Sequence, residues 1–329
     1  MLRYNEAEAI AKDIGALACR SKIEEIVDGI CKEGYDNIFF IGVGGTLAYA
    51  WTMENIVKPA SSIKIYVEHA ADFNTLGNKN FGKNSIVIVE SASGDTKEVV
   101  ESVEKCHKVG AKVIGIIDKL GTPLAGSVDY LINSTGGGLY KWYAIMLRFM
   151  FNNGEFPAYD LFWSQMSNMP AALVEVVKKA DEPAAEFAKK YCDEPFQYLI
   201  GAGNTWGVAY SYAMCLMEEM LWMKTKSITA GDWFHGCLEV CDRDTSVIVF
   251  CGEDGARVET DRVLAFAPRI TRKLTVFDTA DYELPVNKEF RGLVSPMVMW
   301  AVCNRLTAHL EDELKHPSEI RRYYRQLKY

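Results

Sequence analysis

The chain has 329 residues, of which 49% are hydrophobic and 24% are charged. A chain of this length can bury two cores of ordinary domain size, so we expect two domains. Its formal net charge of -8 provides no positive field that would gather a polyanion, which argues against nucleic-acid binding.

Residues 1–34 are predicted to form a helix at the start of the chain. Their large aliphatic residues recur at helical spacing, at Ile10, Ile14, Leu17, Ile23, Ile26 and Ile30. Charged residues interrupt this pattern, unlike in a signal peptide, and no later apolar run reaches the length of a membrane span. Nine cysteines without a repeated spacing favour reduced thiols. We therefore expect a cytoplasmic protein that does not bind membranes.

The first interior segment combines a buried strand, a glycine-rich turn and a helix. Asn37–Ile41 is mostly apolar, Gly42-Val-Gly-Gly-Thr46 follows, and a helical stretch continues to about Lys58. The glycines could indicate a dinucleotide site, with Glu68 placed to meet a ribose hydroxyl. The third fingerprint position holds Leu47 instead of a small residue, so that match is weak. A tight turn without a ligand is the simpler interpretation.

Further strands alternate with helical patterns in the first half of the chain. Apolar runs lie at 63–67, 86–89, 113–117 and 130–132. This alternation is typical of a parallel sheet with helices on both faces. The sequence therefore predicts a three-layer α/β domain, flavodoxin-like or Rossmann-like, over residues 35–160.

A loop rich in hydroxyl groups follows the strand that ends near Val89. It reads Ser91-Ala-Ser-Gly-Asp-Thr96 and opens onto a helix that continues to about His107. Ligands collect at the carboxyl edge of such sheets, and hydroxyls with helix N–H groups can surround a phosphate. Asp95 is unfavourable beside an anion, so we expect its side chain to point away. The alternative is that these residues only cap the helix and form a turn.

The strand and glycine turn recur in the second half of the chain. A strand at 197–200 precedes Gly201-Ala-Gly-Asn-Thr205, so Gly42 and Gly201 correspond at an offset of 159. Asp118 and Asp278, each at the end of a strand, correspond at an offset of 160. Two correspondences at nearly one spacing indicate a duplicated unit.

The duplication predicts a second α/β domain with strands near 247–250 and 274–277. Its loop Phe250-Cys-Gly-Glu-Asp-Gly255 lacks the two serines and carries acids, so we do not expect it to bind phosphate. The polar stretch at 152–168 is the predicted join between the domains. The predicted division is an N-terminal helix at 1–34, a first domain at 35–160, a second domain at 161–310 and a tail at 311–329.

Two glutamates interrupt an apolar helical run predicted from Trp206 to about Lys224. Glu218 and Glu219 follow a run of mostly apolar residues that ends at Met217. A charge in such a stretch is costly to bury unless it is paired or protonated, so it marks a candidate for proton transfer. Adjacent helical residues point about 100° apart, so at most one should face a pocket and the other should be solvated. Alternatively, Glu219 pairs with a basic side chain at a subunit contact.

His235 lies 16 residues after Glu219, in Gly231-Asp-Trp-Phe-His-Gly236. Histidine is readily tuned for proton transfer near neutral pH. An unbroken helix would separate the two residues by ~24 Å, so they share a site only if the chain folds back or two subunits meet. Cys237 and Cys241 could indicate zinc, but their spacing is irregular and no fourth ligand is near, so we expect no metal. A histidine buried for packing is a simpler alternative.

These motifs together resemble the SIS (sugar isomerase) domain family over nearly the whole chain, as a tandem pair. The resemblance rests on Ser91-Ala-Ser-Gly-Asp-Thr96 as the phosphosugar loop, on Gly44-Gly-Thr46, and on the spacing from Glu219 to His235-Gly236. It implies two SIS domains, each a parallel sheet with helices on both faces.

The resemblance also implies roles for individual residues. The phosphate of a sugar phosphate would be bound by Gly45, Thr46, Ser91, Ala92, Ser93 and Thr96. Glu219 would carry a proton between C1 and C2 of the open sugar, and His235 would assist ring opening and protonation of a leaving amine, without a metal or organic cofactor. The family pairs these two residues across a two-fold axis, which implies a homodimer or higher oligomer with shared active sites.

Within the family, the chain is similar to the isomerase half of glucosamine-fructose-6-phosphate aminotransferase and more so to the fructosamine 6-phosphate deglycases. Like the deglycases, it ends in a basic, tyrosine-rich tail from His316 to Tyr329, expected to lie over the active site. Arg325 falls near the aminotransferase lysine that forms a Schiff base, which arginine cannot do, and Leu216 stands where the aminotransferases have lysine. The room before the first domain is too short for a glutaminase domain, so we expect no glutamine-dependent amination.

The resemblance therefore predicts a deglycase that splits a fructosamine-type 6-phosphate into a hexose 6-phosphate and an amine or amino acid. The reaction would proceed by C1–C2 proton transfer and imine hydrolysis. The alternatives are an aldose–ketose phosphosugar isomerase and a non-catalytic phosphosugar sensor.

Overall fold

The computed structural model describes residues 1–328, and its chain divides into two compact units. The first unit is Ala7–Pro170, and the second combines Met1–Glu6 with the chain from Ala171 onward. The division therefore falls at Pro170, and the first six residues group with the second unit, unlike the boundaries expected from the sequence.

The first unit alternates strands and helices after an initial pair of helices. Its elements are α1 Glu6–Ala18, α2 Arg20–Glu33, β1 Asn37–Gly42, α3 Gly44–Val57, β2 Ile65–His69, α4 Ala70–Leu76, β3 Ser85–Ser91, α5 Lys97–Val109, β4 Lys112–Ile117, α6 Pro123–Ser127, β5 Tyr130–Ile132, α7 Gly138–Asn152 and α8 Tyr159–Met166. The single helix predicted over 1–34 is thus two helices, which meet at Cys19.

The first sheet is parallel throughout, with the strand order β2-β1-β3-β4-β5. Its central strands β1 and β3 are buried almost along their whole length, because helices cover both faces. Phe39, Val87 and Val113 point to one face and join a core with α4 and α5. Phe40 lies on the other face and packs edge-on against Trp142 of α7.

The second unit repeats this arrangement with fewer strands. Its elements are α9 Met169–Tyr191, β6 Gln197–Gly201, α10 Trp206–Ser211, β7 Thr225–Thr229, α11 Ala230–Trp233, β8 Ser246–Cys251, α12 Arg257–Phe266, β9 Lys273–Asp278 and α13 Lys288–Leu314. The sheet is again parallel, in the order β7-β6-β8-β9. Since β1 and β6 hold equivalent positions in the two sheets, the predicted duplication and the α/β fold class are confirmed.

The predicted join at 152–168 is a packed helical segment. Within it, α8 buries Tyr159, Phe162 and Trp163. The guanidinium of Arg20 lies over the rings of Tyr159 and Trp163, at 5.3 Å and 5.1 Å. Of the polar residues in the predicted join, only Asp160, Ser164 and Gln165 lie on α8, beside these aromatics, and the aromatics decide the position of the helix.

Helix α13 extends to Leu314, so the tail begins at Lys315, a few residues later than predicted. Tyr329, its last residue, lies outside the described part of the chain. Among residues 1–328, no helix is both long enough and apolar enough to cross a membrane.

Candidate active site

The strand order places two loops of the first unit at the usual ligand position of such folds. The order reverses between β1 and β3, and ligands bind at the carboxyl ends of strands beside such a reversal. The turn Val43–Thr46 follows β1, and the loop Ala92–Thr96 follows β3. Both predicted phosphate-binding segments therefore lie at this edge of one sheet.

Ser91 fixes the shape of the loop after β3. Its side chain is 4% exposed, and its Oγ accepts a hydrogen bond from the Gly94 backbone N–H at 3.0 Å. The hydroxyl of Thr96 lies 3.4 Å from the same oxygen. Gly94 has φ +69°, and a Cβ there would lie 2.1 Å from Thr122 Oγ1, so only glycine fits. The sequence Ser-x-x-Gly is thus required by the geometry of the loop itself.

The more accessible part of this loop contains Ala92, Ser93 and Asp95. Ser93 Oγ donates a hydrogen bond to Asp95 Oδ1 at 2.5 Å. The Asp95 carboxylate therefore contacts a loop hydroxyl, contrary to the expectation that it points away.

The turn after β1 is closed by Thr46. Its Oγ1 donates to the Val43 carbonyl at 2.9 Å and accepts from the Val43 N–H at 3.3 Å. A Cβ on Gly42 would lie 2.9 Å from this oxygen, so the glycine allows the threonine to fold back over the turn. Gly45 and Thr46 are half-buried at the start of α3, where backbone N–H groups suit an anion.

A carboxyl group that the sequence analysis missed lies beside this loop. Glu90 is the residue of β3 that precedes Ser91, and it accepts a hydrogen bond from Trp142 Nε1 at 2.7 Å. Burial raises the pKa of Glu90 to about 7, although the Trp142 hydrogen bond and the charge of Lys141 oppose that rise. The sequence gives little sign of this residue, because a single acid near the end of an apolar strand forms no pattern.

The corresponding loops of the second unit are filled by their own carboxylates. Asp254 Oδ2 accepts from the Asn204 N–H at 3.2 Å, and its Oδ1 accepts from the Ala256 N–H at 2.8 Å. Glu253 pairs in a fork with Arg291, at 2.6 Å and 2.7 Å. Asp254 therefore occupies backbone donors that an anion would use, and Glu253 occupies the nearby guanidinium, which is a physical reason to expect no phosphate there.

Glu219 follows directly on a π-helix, Tyr212–Glu218, that continues α10. The helix predicted to reach Lys224 therefore ends earlier. Such π-segments are frequent at functional sites. The Glu219 carboxylate accepts from Arg321 Nε at 3.0 Å, so its basic partner comes from the tail of the same chain.

Glu219 lines a cavity of about 540 Å³ that also contains Glu218, Trp222, Arg321 and Arg322. Glu218 is exposed, as expected for the solvated member of the pair, yet it lines the same cavity and accepts from Thr225 Oγ1 at 2.7 Å. The expectation that only one glutamate faces a pocket is wrong, because the helix ends here and both side chains reach the opening.

Trp222 holds the tail beside this cavity. Its ring lies between His316, at 4.1 Å between ring centroids, and the Arg322 guanidinium, 3.9 Å from the ring centroid. His316 Nε2 also lies 3.1 Å from the Met220 carbonyl oxygen. Trp222 has φ +59°, a conformation that costs a bulky residue about 1–3 kcal/mol and that often accompanies function.

His235 lies elsewhere in the same unit. It is exposed, so the alternative of a histidine buried for packing is wrong. It lines a second cavity, of about 490 Å³, with Lys226, Ile228 and Asp232. Thr225 lines the cavity of Glu219 and Lys226 lines that of His235, so the two cavities have no lining residue in common. Within one chain, the structure does not bring Glu219 and His235 together.

No group of three or more His, Cys, Asp or Glu side chains in residues 1–328 is arranged to hold a metal ion. Cys237, which suggested zinc beside His235, is buried in the core of the second unit.

The fold and the loop after β3 define the class of protein, and comparison with known proteins agrees. Residues 33–137 match the SIS domain family. Over 307 residues, the chain is 29% identical to the fructosamine deglycase FrlB of Bacillus subtilis, covering 89% of this chain and 93% of the relative. It is 21% identical to the fructoselysine 6-phosphate deglycase of Escherichia coli K12, covering 92% of this chain and 89% of that relative.

A solved structure extends the likeness to the whole fold. A Bacillus subtilis protein provisionally described as a phosphosugar isomerase superimposes with a TM-score of 0.88 at 26% identity, covering 98% of this chain and all of that one. Residues 33–137 are therefore similar to the SIS domain family, and the whole chain is similar to a deglycase and to a protein described as a phosphosugar isomerase, in line with the sequence resemblance.

Proposed function

We propose that this chain is a phosphosugar-amine deglycase. Similar to the SIS domain family and to two deglycases, it is an enzyme of the sugar-phosphate deglycase or isomerase class. The finer assignment is supported above all by the likeness to fructosamine deglycase, which covers 89% of the chain. The proposed substrate is a fructosamine-type 6-phosphate, and the products are a hexose 6-phosphate and an amine or amino acid.

We assign phosphate binding to the turn after β1 and the loop after β3. The proposed ligands are the hydroxyls of Thr46, Ser91, Ser93 and Thr96 with the backbone of Gly45 and Ala92. Their placement at the reversal of strand order supports this role, because N–H groups converge there. Since Ser91 is already bonded to the Gly94 N–H, we assign it mainly to holding the loop.

We assign the proton transfer to Glu219. In the open ketosamine, Glu219 removes a proton from C1, which gives an enaminol, and returns a proton to C2, which gives an imine between C1 and the nitrogen. Water then adds to the imine, and the amine leaves with the C1 aldehyde restored. His235 assists ring opening and protonates the departing amine. This scheme uses no metal or organic cofactor.

Both residues can serve one substrate if two copies of the chain meet. Glu219 and His235 line different cavities of one chain, which is the ground for proposing a homodimer or higher oligomer with shared sites. A cytoplasmic location is also a proposal, for which the nine free cysteines are the ground.

One assay separates the deglycase from the isomerase. The protein is incubated with 6-phosphofructosyl-glycine, and released glycine and hexose 6-phosphate are quantified. We expect equal amounts of both products, and a loss of ~10²-fold to 10⁴-fold in kcat for Glu219→Gln. Interconversion of fructose 6-phosphate and glucose 6-phosphate without amine release would establish the isomerase instead. Binding without any turnover would indicate a sensor.

A further inference from the structure

The cavity beside Glu219 carries both signs of charge. Glu218 and Glu219 contribute carboxylates from the end of the helical segment, and Arg321 and Arg322 contribute guanidinium groups from the tail. Trp222 and Tyr323 supply aromatic surface. Its volume of about 540 Å³ lies within the ordinary range for small-molecule sites. A cavity of this kind fits a ligand that has a cationic nitrogen and an anionic group close together.

Arg321 has bonding capacity left for such an anion. Its Nε donates to Glu219, while its Nη1 donates to the carbonyls of Ser318 and Ile320. Within residues 1–328, Nη2 makes no hydrogen bond. The guanidinium fork matches a carboxylate in two parallel bonds, and here the backbone of the tail fixes its position.

The distance suits a carboxylate on the amine of the substrate. An α-amino acid bound to C1 through its nitrogen has its carboxylate carbon three bonds, or about 4 Å, from C1. Glu219 must approach C1 to move the proton, and Arg321 lies 3.0 Å from Glu219. A guanidinium this near the reacting carbon can reach that carboxylate.

We propose that Arg321 recognises a carboxylate on the amine part of the substrate. On binding, Arg321 leaves its ion pair with Glu219 and pairs with this carboxylate instead. This inference rests on the proposed function and adds the residue that selects substrates whose amine carries a carboxylate near its nitrogen. In this structure, Arg321 holds the tail against Glu219. When the substrate carboxylate takes over Arg321, Glu219 is left unpaired beside the carbons between which it moves the proton.

Two substrates that differ only in this charge test the proposal. They are the 6-phosphofructosyl conjugates of glycine and of glycinamide, which have the same size. We expect the wild type to prefer the glycine conjugate by roughly 10-fold to 100-fold in kcat/KM, the range for a hydrogen-bonded charge pair. Arg321→Gln should remove this preference by slowing only the glycine conjugate. Arg321→Lys, which keeps the charge without the fork, should restore part of it.

Lys328→Gln is the matched control, because it removes one positive charge from the same tail at an exposed residue that does not line the cavity. It should leave the preference unchanged. An equal loss on both conjugates in Arg321→Gln would mean that the arginine is structural and would overturn the proposal. So would a wild type that does not distinguish the conjugates.

Binding separates this inference from the proposed function. Calorimetric titration of both conjugates into His235→Ala, and into the same variant with Arg321→Gln, measures recognition without turnover. The proposed function fails if the wild type releases amine from neither conjugate. The inference fails if both conjugates bind His235→Ala equally well, whatever the turnover.

Discussion

Ser93 is the loop residue at which an added charge should be most damaging. Its hydroxyl already contacts the Asp95 carboxylate, so Ser93→Asp would place a second carboxylate in a loop assigned to phosphate. Like charges at this separation repel strongly because the loop is partly shielded from water. We expect the Kd for fructose 6-phosphate to rise by at least about 10-fold, corresponding to about 1.4 kcal/mol. Titration calorimetry at fixed salt measures it.

Ser164→Asp is the control for Ser93→Asp, because it adds one negative charge at an exposed position of the same unit. It should bind fructose 6-phosphate as the wild type does. If Ser93→Asp also binds normally, the loop after β3 is not the phosphate site.

Glu90 should make the stability of the protein depend on pH. Its pKa of about 7 lies above the ordinary 4.5 because burial disfavours the carboxylate, so the folded state binds the proton more tightly than the unfolded chain. The stabilisation is full below pH 4.5 and is lost as pH rises through 7. Glu90→Gln, which is neutral and still accepts from Trp142, should therefore gain up to about 3 kcal/mol relative to the wild type between pH 5 and pH 8.

Urea unfolding of both proteins at pH 5 and pH 8 gives this difference directly. Asp13, whose pKa burial raises to about 6, is present in both proteins, so its contribution cancels. Parallel pH dependences of the two unfolding free energies would show that Glu90 does not titrate in this range.

At the scale of elements, the sequence predicted strands well where an apolar run lay between turn residues. It predicted every described strand except β7 to within about two residues. It missed β7, Thr225–Thr229, because this edge strand is half-buried and Ile228 is its only large apolar residue. The helix predicted to reach Lys224 also ends early, at Glu218, a few residues before β7 begins. The break depends on the π-segment and on Trp222 at positive φ, and neither leaves a periodic pattern in the sequence.

The candidate site was predictable to a similar degree. The motif from Ser91 to Thr96 predicted the loop after β3, because its serine and glycine are the residues that form the turn. The contact of Arg321 with Glu219 was not predictable, since it joins residues 102 positions apart through a tail without apolar period. Glu90 was missed because one acid in a buried strand has no pattern.

The tail should matter more for activity than for stability. None of residues 315–328 is fully buried, and the tail contacts the rest of the unit mainly through Arg321, Arg322 and His316. Deleting residues 317–329 should therefore lower kcat/KM by at least about 10-fold, while Tm falls by less than about 4 °C, equivalent to roughly 3 kcal/mol in a chain of this size. Differential scanning calorimetry and the amine-release assay give the two values.

A shorter deletion, of residues 327–329, is the control for this tail prediction, because it spares every residue of the tail that lines the cavity. It should keep nearly full activity. Full activity in the longer deletion would show that the tail does not contribute to the site.

At the scale of the whole molecule, duplication explains why one unit is assigned to phosphate and the other to proton transfer. Both sheets reverse strand order at the same place, so both had an anion-binding edge available. In the second unit, Asp254 fills that edge, and Gly203 at φ +50° leaves the space for its carboxylate. In the second unit, Glu219 lies at the end of the helical segment that follows β6, and His235 lies after β7 and α11.

These two residues line different cavities of one chain. A second copy can supply the missing residue. We therefore predict that a site is completed by Glu219 of one protomer and His235 of its partner. Each of the two single variants, Glu219→Gln and His235→Ala, should be ~10²-fold to 10⁴-fold less active as a homodimer.

Complementation between the two variants tests the shared site. In a mixed dimer of Glu219→Gln and His235→Ala, one site collects both defects, while the other receives an intact glutamate and an intact histidine. Random assembly gives about half mixed dimers, each with one good site of two, so co-expression should restore roughly a quarter of wild-type activity. Differently tagged chains purified in two affinity steps yield the mixed dimer alone, which should have about half the activity. If purified mixed dimers are as inactive as either variant, each site lies within a single chain and the assignment of the pair to two protomers is wrong.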